Sequence, residues 1–182
     1  LAINGSDYVY VSDRDNQRIQ VFYSDGAYHS EWSTSSYGNP TGIAINRTGH
    51  VYVYFNGPDT VVVYDQFGNE QYSWGVSGAG VGEIDFVRDL TINMTGHVFL
   101  GDTNNEKILV FDQTGNFQTE KLNVDAYDIT INSTGAIYST CGSNPTGVLV
   151  IEGAQDSFGL WNEDPHVTSP SDISFAEGQT GN

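Results

Sequence analysis

Along this chain, short apolar stretches return in a fixed order, each bounded by glycine and polar residues. Leu1-Ala2-Ile3-Asn4 is matched by Ile43-Ala44-Ile45-Asn46, Leu90-Thr91-Ile92-Asn93 and Ile129-Thr130-Ile131-Asn132, and Ile173-Ser174-Phe175 opens a fifth copy. With Ile3, Ile45, Ile92, Ile131 and Phe175 as anchors, the spacings are 42, 47, 39 and 44 residues. Self-similarity at such a period marks a repeat architecture. In each copy a tight turn leads to an alternating segment: Tyr8-Val9-Tyr10-Val11, Val51-Tyr52-Val53-Tyr54, Val98-Phe99-Leu100 and Ile137-Tyr138. A period of two predicts β-strand. A polar loop then precedes a third, apolar run: Ile19-Gln20-Val21-Phe22, Val61-Val62-Val63-Tyr64, Ile108-Leu109-Val110-Phe111 and Val148-Leu149-Val150-Ile151. A glycine turn follows (Asp25-Gly26, Phe67-Gly68, Thr114-Gly115), and a fourth strand runs to Trp32, Trp74 and Trp161, with Lys121 in that place in the third copy. No segment carries helical periodicity.

The register is strict. Trp32 lies 29 residues past Ile3 and Trp74 lies 29 past Ile45; Trp161 lies 30 past Ile131 because the loop at 139–146 is one residue longer. Length varies almost only between the fourth strand and the next anchor, where the connections span 13, 18, 10 and 14 residues. Four strands in register with one variable connection predict an all-β chain of four-stranded antiparallel blades, a β-propeller. The predicted repeats are 1–41, 42–88, 89–127 and 128–171, with the first strand of a fifth in 172–182. That fifth strand is surplus to a ring of four, and an unpaired strand templates further pairing. The only methionine is Met94. The expectation is a portion of a longer array, with strand addition to a neighbouring molecule or a filament as the other outcomes.

Pro40-Thr41-Gly42-Ile43-Ala44-Ile45-Asn46 with Val51-Tyr52-Val53, Val11-Ser12-Asp13-Arg14-Asp15-Asn16-Gln17-Arg18-Ile19-Gln20-Val21-Phe22, and Gly101-Asp102-Thr103-Asn104-Asn105-Glu106-Lys107-Ile108 resemble the NHL repeat. The resemblance runs along the whole chain and is loosest in the fourth copy. It implies a propeller, usually closed with six blades, and leaves function open, because propellers host many activities.

Charge narrows the field. Six Lys+Arg against 23 Asp+Glu give a net charge of −17, which repels phosphate backbones and disfavours nucleic acid and anionic membranes as partners. No apolar run reaches the length of a membrane helix. The single Cys141 excludes an intrachain disulfide and has no His or Asn at its own repeat position to make it a nucleophile. Nucleophile-elbow, P-loop, CxxC and HExxH motifs are absent.

Four N-glycosylation sequons, at Asn4, Asn46, Asn93 and Asn132, all fall in the turn between strands one and two. Two readings stand side by side. Asn followed by Ser or Thr and then glycine is good turn chemistry; alternatively the sites carry N-linked glycans, and the chain is then extracellular. Archaeal surface proteins with NHL repeats show similar Asn-x-Thr-Gly turns, which the resemblance extends to this chain. His50 and His97 follow the turn glycine at a place held elsewhere by Tyr8 and Ala136, so they read as strand residues rather than a metal set. Asp13, Asp15 and Asn16, and Asp102, Asn104, Asn105 and Glu106, have half the spacing of a calcium loop but lack its glycine and its bidentate glutamate. They read as loop scaffolding, with weak Ca²⁺ association the most that 23 carboxylates imply. The tryptophans share one repeat position and read as packing between blades.

The variable connections at 33–42, 75–89, 123–128 and 162–172 should emerge on one face and carry binding residues. The candidates there are Tyr37, Glu83, Asp85, Phe86, Arg88, Asp125, Tyr127 and His166. No catalytic residue, metal ligand or cofactor is expected. The expected function is a non-enzymatic extracellular surface module that self-associates or binds a surface partner. The alternative is a six-bladed lyase, lactonase or hydrolase with its site in the axial channel.

Overall fold

A computed structural model describes residues 1–124, 126–141 and 147–151. Blade 1 comprises β1 (Ala2–Ile3), β2 (Val9–Asp13), β3 (Arg18–Phe22) and β4 (Tyr28–Ser33). Blade 2 comprises β5 (Pro40–Ile45), β6 (Val51–Phe55), β7 (Thr60–Tyr64) and β8 (Glu70–Trp74). Blade 3 comprises β9 (Val87–Ile92), β10 (Val98–Asp102), β11 (Lys107–Phe111) and β12 (Phe117–Leu122). Blade 4 supplies β13 (Ala126–Ile131), β14 (Ile137–Cys141) and β15 (Gly147–Ile151). Each sheet is an antiparallel meander in chain order, and no helix occurs among the described residues. The register is the predicted one: Trp32 faces Ile19, Trp74 faces Val61 and Lys121 faces Ile108.

The blades stack face to face. Tyr10, Ile19 and Val21 of blade 1 meet Val51, Val53, Phe55, Val62 and Tyr64 of blade 2. Tyr52, Tyr54, Val61 and Val63 on the other face of blade 2 meet Val98, Leu100, Leu109 and Phe111 of blade 3. Phe99, Ile108 and Val110 then meet Ile129, Ile137 and Ile151 of blade 4. The alternation along β6 is therefore one of side-chain size between two apolar faces, and every residue of β6 and β10 is buried. This is the double-sided burial of a central strand rather than the half-solvated pattern of an open sheet. Polar residues gather instead on the outer strands β4, β8 and β12.

Tryptophan locks blade 1 to blade 2 and blade 2 to blade 3. The Trp32 ring lies 5.8 Å from Tyr64, and the Trp74 ring 4.7 Å from Phe111. Each indole also covers the turn glycine of the following blade. A Cβ on Gly68 would stand 2.6 Å from Trp32, and one on Gly115 would run into the Trp74 indole. Both glycines hold φ near +86° to +89°, so residue type is fixed there twice over, by conformation and by contact. The inner strands β1, β5, β9 and β13, with Tyr138, Ser139, Thr140 and Val148 of blade 4, line an axial cavity of about 640 Å³.

Candidate functional site

Because every link from strand four to the next strand one leaves the same edge of its sheet, the connections 33–42, 75–89 and 123–128 open on one side. The longest is a folded loop. Ile84 is fully buried within it and donates its N–H to Val76 O at 2.8 Å, while Gly78 N–H returns to Ile84 O at 3.0 Å. Glu83 closes the tip by accepting the Gly80 N–H at 2.8 Å. Asp85 accepts from Asn104 Nδ2 at 3.1 Å and donates its own N–H to Asp102 Oδ2 at 3.1 Å. Both carboxylates thus shape the loop. Phe86 holds φ at +60°, a left-handed conformation uncommon for a bulky residue.

That turn delivers Phe86 to Arg88, whose guanidinium carbon lies 5.3 Å from the Phe86 ring centre and 4.3 Å from that of Tyr127. Arg88 is exposed, and both half-buried rings lie within cation–π reach of it. Three of the residues singled out in the sequence are therefore one cluster, built from two connections. Tyr37 is not part of it. Its ring packs 5.3 Å from Phe55 and its hydroxyl donates to Glu70 Oε1 at 2.7 Å; that bond to a carboxylate, aided by burial, raises the phenol's pKa. Asp125 and His166 lie outside the described residues, as do Trp161 and the segment from 172 to 182. Sequence reasoning missed Val76 and Val81, which stand 63% and 76% exposed on the long loop. The signal was a valine flanked by glycines, Gly80-Val81-Gly82.

The opposite end carries the Asn turns. Asn46 Oδ1 accepts from Thr48 N (3.0 Å), Thr48 Oγ1 (2.8 Å) and His50 N (3.0 Å). Asn93 and Asn132 repeat all three bonds, and Asn4 repeats the two backbone bonds with Ser6 and Tyr8. Since the Thr hydroxyl proton points at Asn Oδ1, the ring of His50 or His97 must donate from Nδ1 to that hydroxyl. Asp112-Gln113-Thr114-Gly115 builds the same turn with aspartate, so Asn and Thr both have a structural role here. The Asn Nδ2 atom, where a glycan would attach, bonds the Tyr10, Tyr52 and Tyr138 hydroxyls at 3.3–3.4 Å in three turns.

Two carboxylates line the axial cavity. Asp89 and Asp128 sit three residues before their anchors on adjacent inner strands. Burial pushes the Asp89 carboxyl above the usual range, and Asp128 adds to the shift, against hydrogen bonds from Leu90 and Ile129. The sequence holds this repeat (Asp89, Asp128, Asp172), but it is hidden among 23 acidic residues. In the loops between strands two and three, Asp13 is held by Asn16 and Arg18, and Asp102 by Asn105 and the Asp85 amide. Those carboxylates face side-chain and backbone donors, which is scaffolding. No three His, Cys, Asp or Glu side chains converge as a metal set among the described residues.

No protein-family profile matches the chain, and no curated protein matches it in sequence. Solved structures do. Streptogramin B lyase superposes with a TM-score of 0.67 at 14% identity, over 85% of this chain and 51% of that one. A chain of the nidogen/laminin complex gives 0.68 at 14% identity, over 82% and 57%. The WD40 β-propeller domain of Doa1 gives 0.62 at 14% identity, over 86% and 49%. This chain spans about half the length of these structures. Likeness at such identity carries the fold and nothing finer: the chain is a β-propeller.

Proposed function

We propose that this is a non-enzymatic propeller module of the NHL type, displayed outside the cell, that self-associates or binds a surface protein through its variable connections. The observation that carries the reading is the Phe86–Arg88–Tyr127 cluster. Arg and aromatic residues are enriched among the anchors of protein interfaces, and two exposed valines extend the apolar area beside them. The sequons lie at the other end, where N-linked glycans at Asn46, Asn93, Asn132 and Asn4 would leave this face clear. Sedimentation velocity over a concentration series tests it. The wild-type chain should associate, and Arg88→Ala with Tyr127→Ala should weaken association by about tenfold or more, an anchor-sized effect. An unchanged association constant overturns the self-association reading. Intact mass of protein from its native source tests the glycans: a mass equal to the sequence mass rejects them.

The axial carboxylate pair favours a second reading, an enzyme of the six-bladed lyase, lactonase or hydrolase kind. One structural neighbour is a lyase. Metal analysis of dialysed protein, with turnover of lactone and ester panels by wild type and Asp89→Asn, separates the two readings.

A further inference from the structure

Blade 1 repeats a set of residues that blade 3 uses to hold a loop. Asp13, Asn16, Arg18 and Glu31 occupy the repeat positions of Asp102, Asn105, Lys107 and Glu120, at 10, 13, 15 and 28 residues past their anchors. In blade 3 the set grips the main chain of the preceding connection. Asn105 Nδ2 donates to Gly78 O at 2.9 Å, Lys107 Nζ to Gly80 O at 2.8 Å and Glu120 Oε2 accepts Gly82 N–H at 3.4 Å. Asp102 accepts the Asp85 N–H, and Lys107 pairs with Glu120 at 3.3 Å. Under the loop, the Lys107 side chain is only 3% exposed.

In blade 1 the set stands assembled with no loop over it among the described residues. Arg18 bonds Asp13 through Nε at 2.8 Å and Glu31 through Nη1 at 2.9 Å, and Asn16 Nδ2 bonds Asp13 at 3.0 Å. The Arg18 and Glu31 side chains are 33% and 39% exposed. They border a cavity of about 350 Å³ lined by Asn16, Gln17, Arg18, Glu31 and Ser33. A guanidinium has five N–H donors, so three remain for an incoming acceptor. Blade 2 shows that the lining follows the loop: Phe55 and Thr60 stand in place of Asp and Lys or Arg, and the preceding connection answers with the Tyr37 ring. A polar set matches a loop read by its main chain; an apolar one matches an aromatic anchor.

We propose that Asn16, Arg18 and Glu31 form a docking cleft for a glycine-bearing peptide loop, recognised through its backbone carbonyls and N–H groups. The occupant is the strand-four-to-strand-one connection of a further propeller blade standing upstream of blade 1. This goes beyond the functional reading above, since it involves neither the Arg88 cluster nor the Asn turns.

Two experiments test it. Fusing residues 42–89 ahead of Leu1 places the connection 75–89 before blade 1 in the register it has before blade 3. The fused chain should melt about 4 °C or more above the original, and Arg18→Ala should cost it more than it costs the original. Equal cost in both chains overturns the proposal. A synthetic peptide of residues 75–89, titrated into the unfused protein, should give saturable NMR shifts at Arg18 Nε and Asn16 Nδ2. Arg18→Ala should weaken that binding by about tenfold or more. Absence of shifts at millimolar peptide, or shifts confined to other sites, overturns it. Concentration-dependent dimerisation abolished by Arg18→Ala would give the cleft to a second copy and overturn the stated occupant.

Discussion

At Asp112 four hydrogen bonds converge on one carboxylate, from Thr114 N, Thr114 Oγ1, Asn116 N and Asn116 Nδ2, at 2.8–3.0 Å. Burial alone would raise its pKa; the bonds together outweigh it and hold the value at about 2, against 3.8. A depressed folded pKa gives stability that is present above the unfolded value and lost as pH falls through the folded one. Asp112→Asn should therefore cost about 1 kcal/mol at neutral pH and progressively less between about pH 4 and pH 2. Urea titrations across that range check it. Asp89 has the opposite sign. Its carboxyl is raised by burial first and by Asp128 second, so the folded state disfavours its charge at neutral pH. Asp89→Asn should raise the thermal midpoint at pH 7 and lose that gain as pH falls toward the ordinary 3.8; calorimetry at the two pH values decides. The Asp112 turn was legible, because Asp-x-Thr-Gly is local chemistry. The Asp89–Asp128 pair was not, because only inner-strand packing sets two carboxylates apart from the rest.

The strands were legible as elements because period, turn glycines and register agree. Their environment was less so. Val51-Tyr52-Val53-Tyr54 reads as a strand by its period of two, but the period does not say that blades on either side cover both its faces. Equally, nothing local in a glycine-rich stretch announces that Ile84 is buried while Val81 is exposed; the loop's fold depends on blade 3. The contact between tryptophan and turn glycine gives a prediction at this scale. Gly26 and Gly115 both have φ near +85° to +89°, but a Cβ at Gly26 meets nothing within 4 Å while one at Gly115 meets Trp74. Gly26→Ala should cost about 1–2 kcal/mol for the left-handed backbone alone. Gly115→Ala should cost clearly more and shift Trp74 fluorescence to the red. Equal costs would show that the indole yields freely.

For the whole molecule, the net charge of −17 sets a self-repulsion that salt screens, since the Debye length falls from about 10 Å at 0.1 M to about 3 Å at 1 M. The thermal midpoint should rise steadily with NaCl. Calcium chloride at equal ionic strength should give a similar rise if cations associate only diffusely; a clearly larger one would mark a bound ion. Blade contacts pass from each sheet to the next in chain order, so hydrogen exchange should be slowest in β6, β7, β10 and β11, which have covered neighbours on both faces. The tryptophan of one blade and the glycine turn of the following one have a consequence for descent as well as for stability. A unit such as blade 2, copied whole, brings its own ring, Trp74, for the blade after it and its own glycine, Gly68, for the ring before it. Tandem duplication can therefore lengthen such a chain without first changing a residue, and divergence can begin where the copies already differ, in the connections.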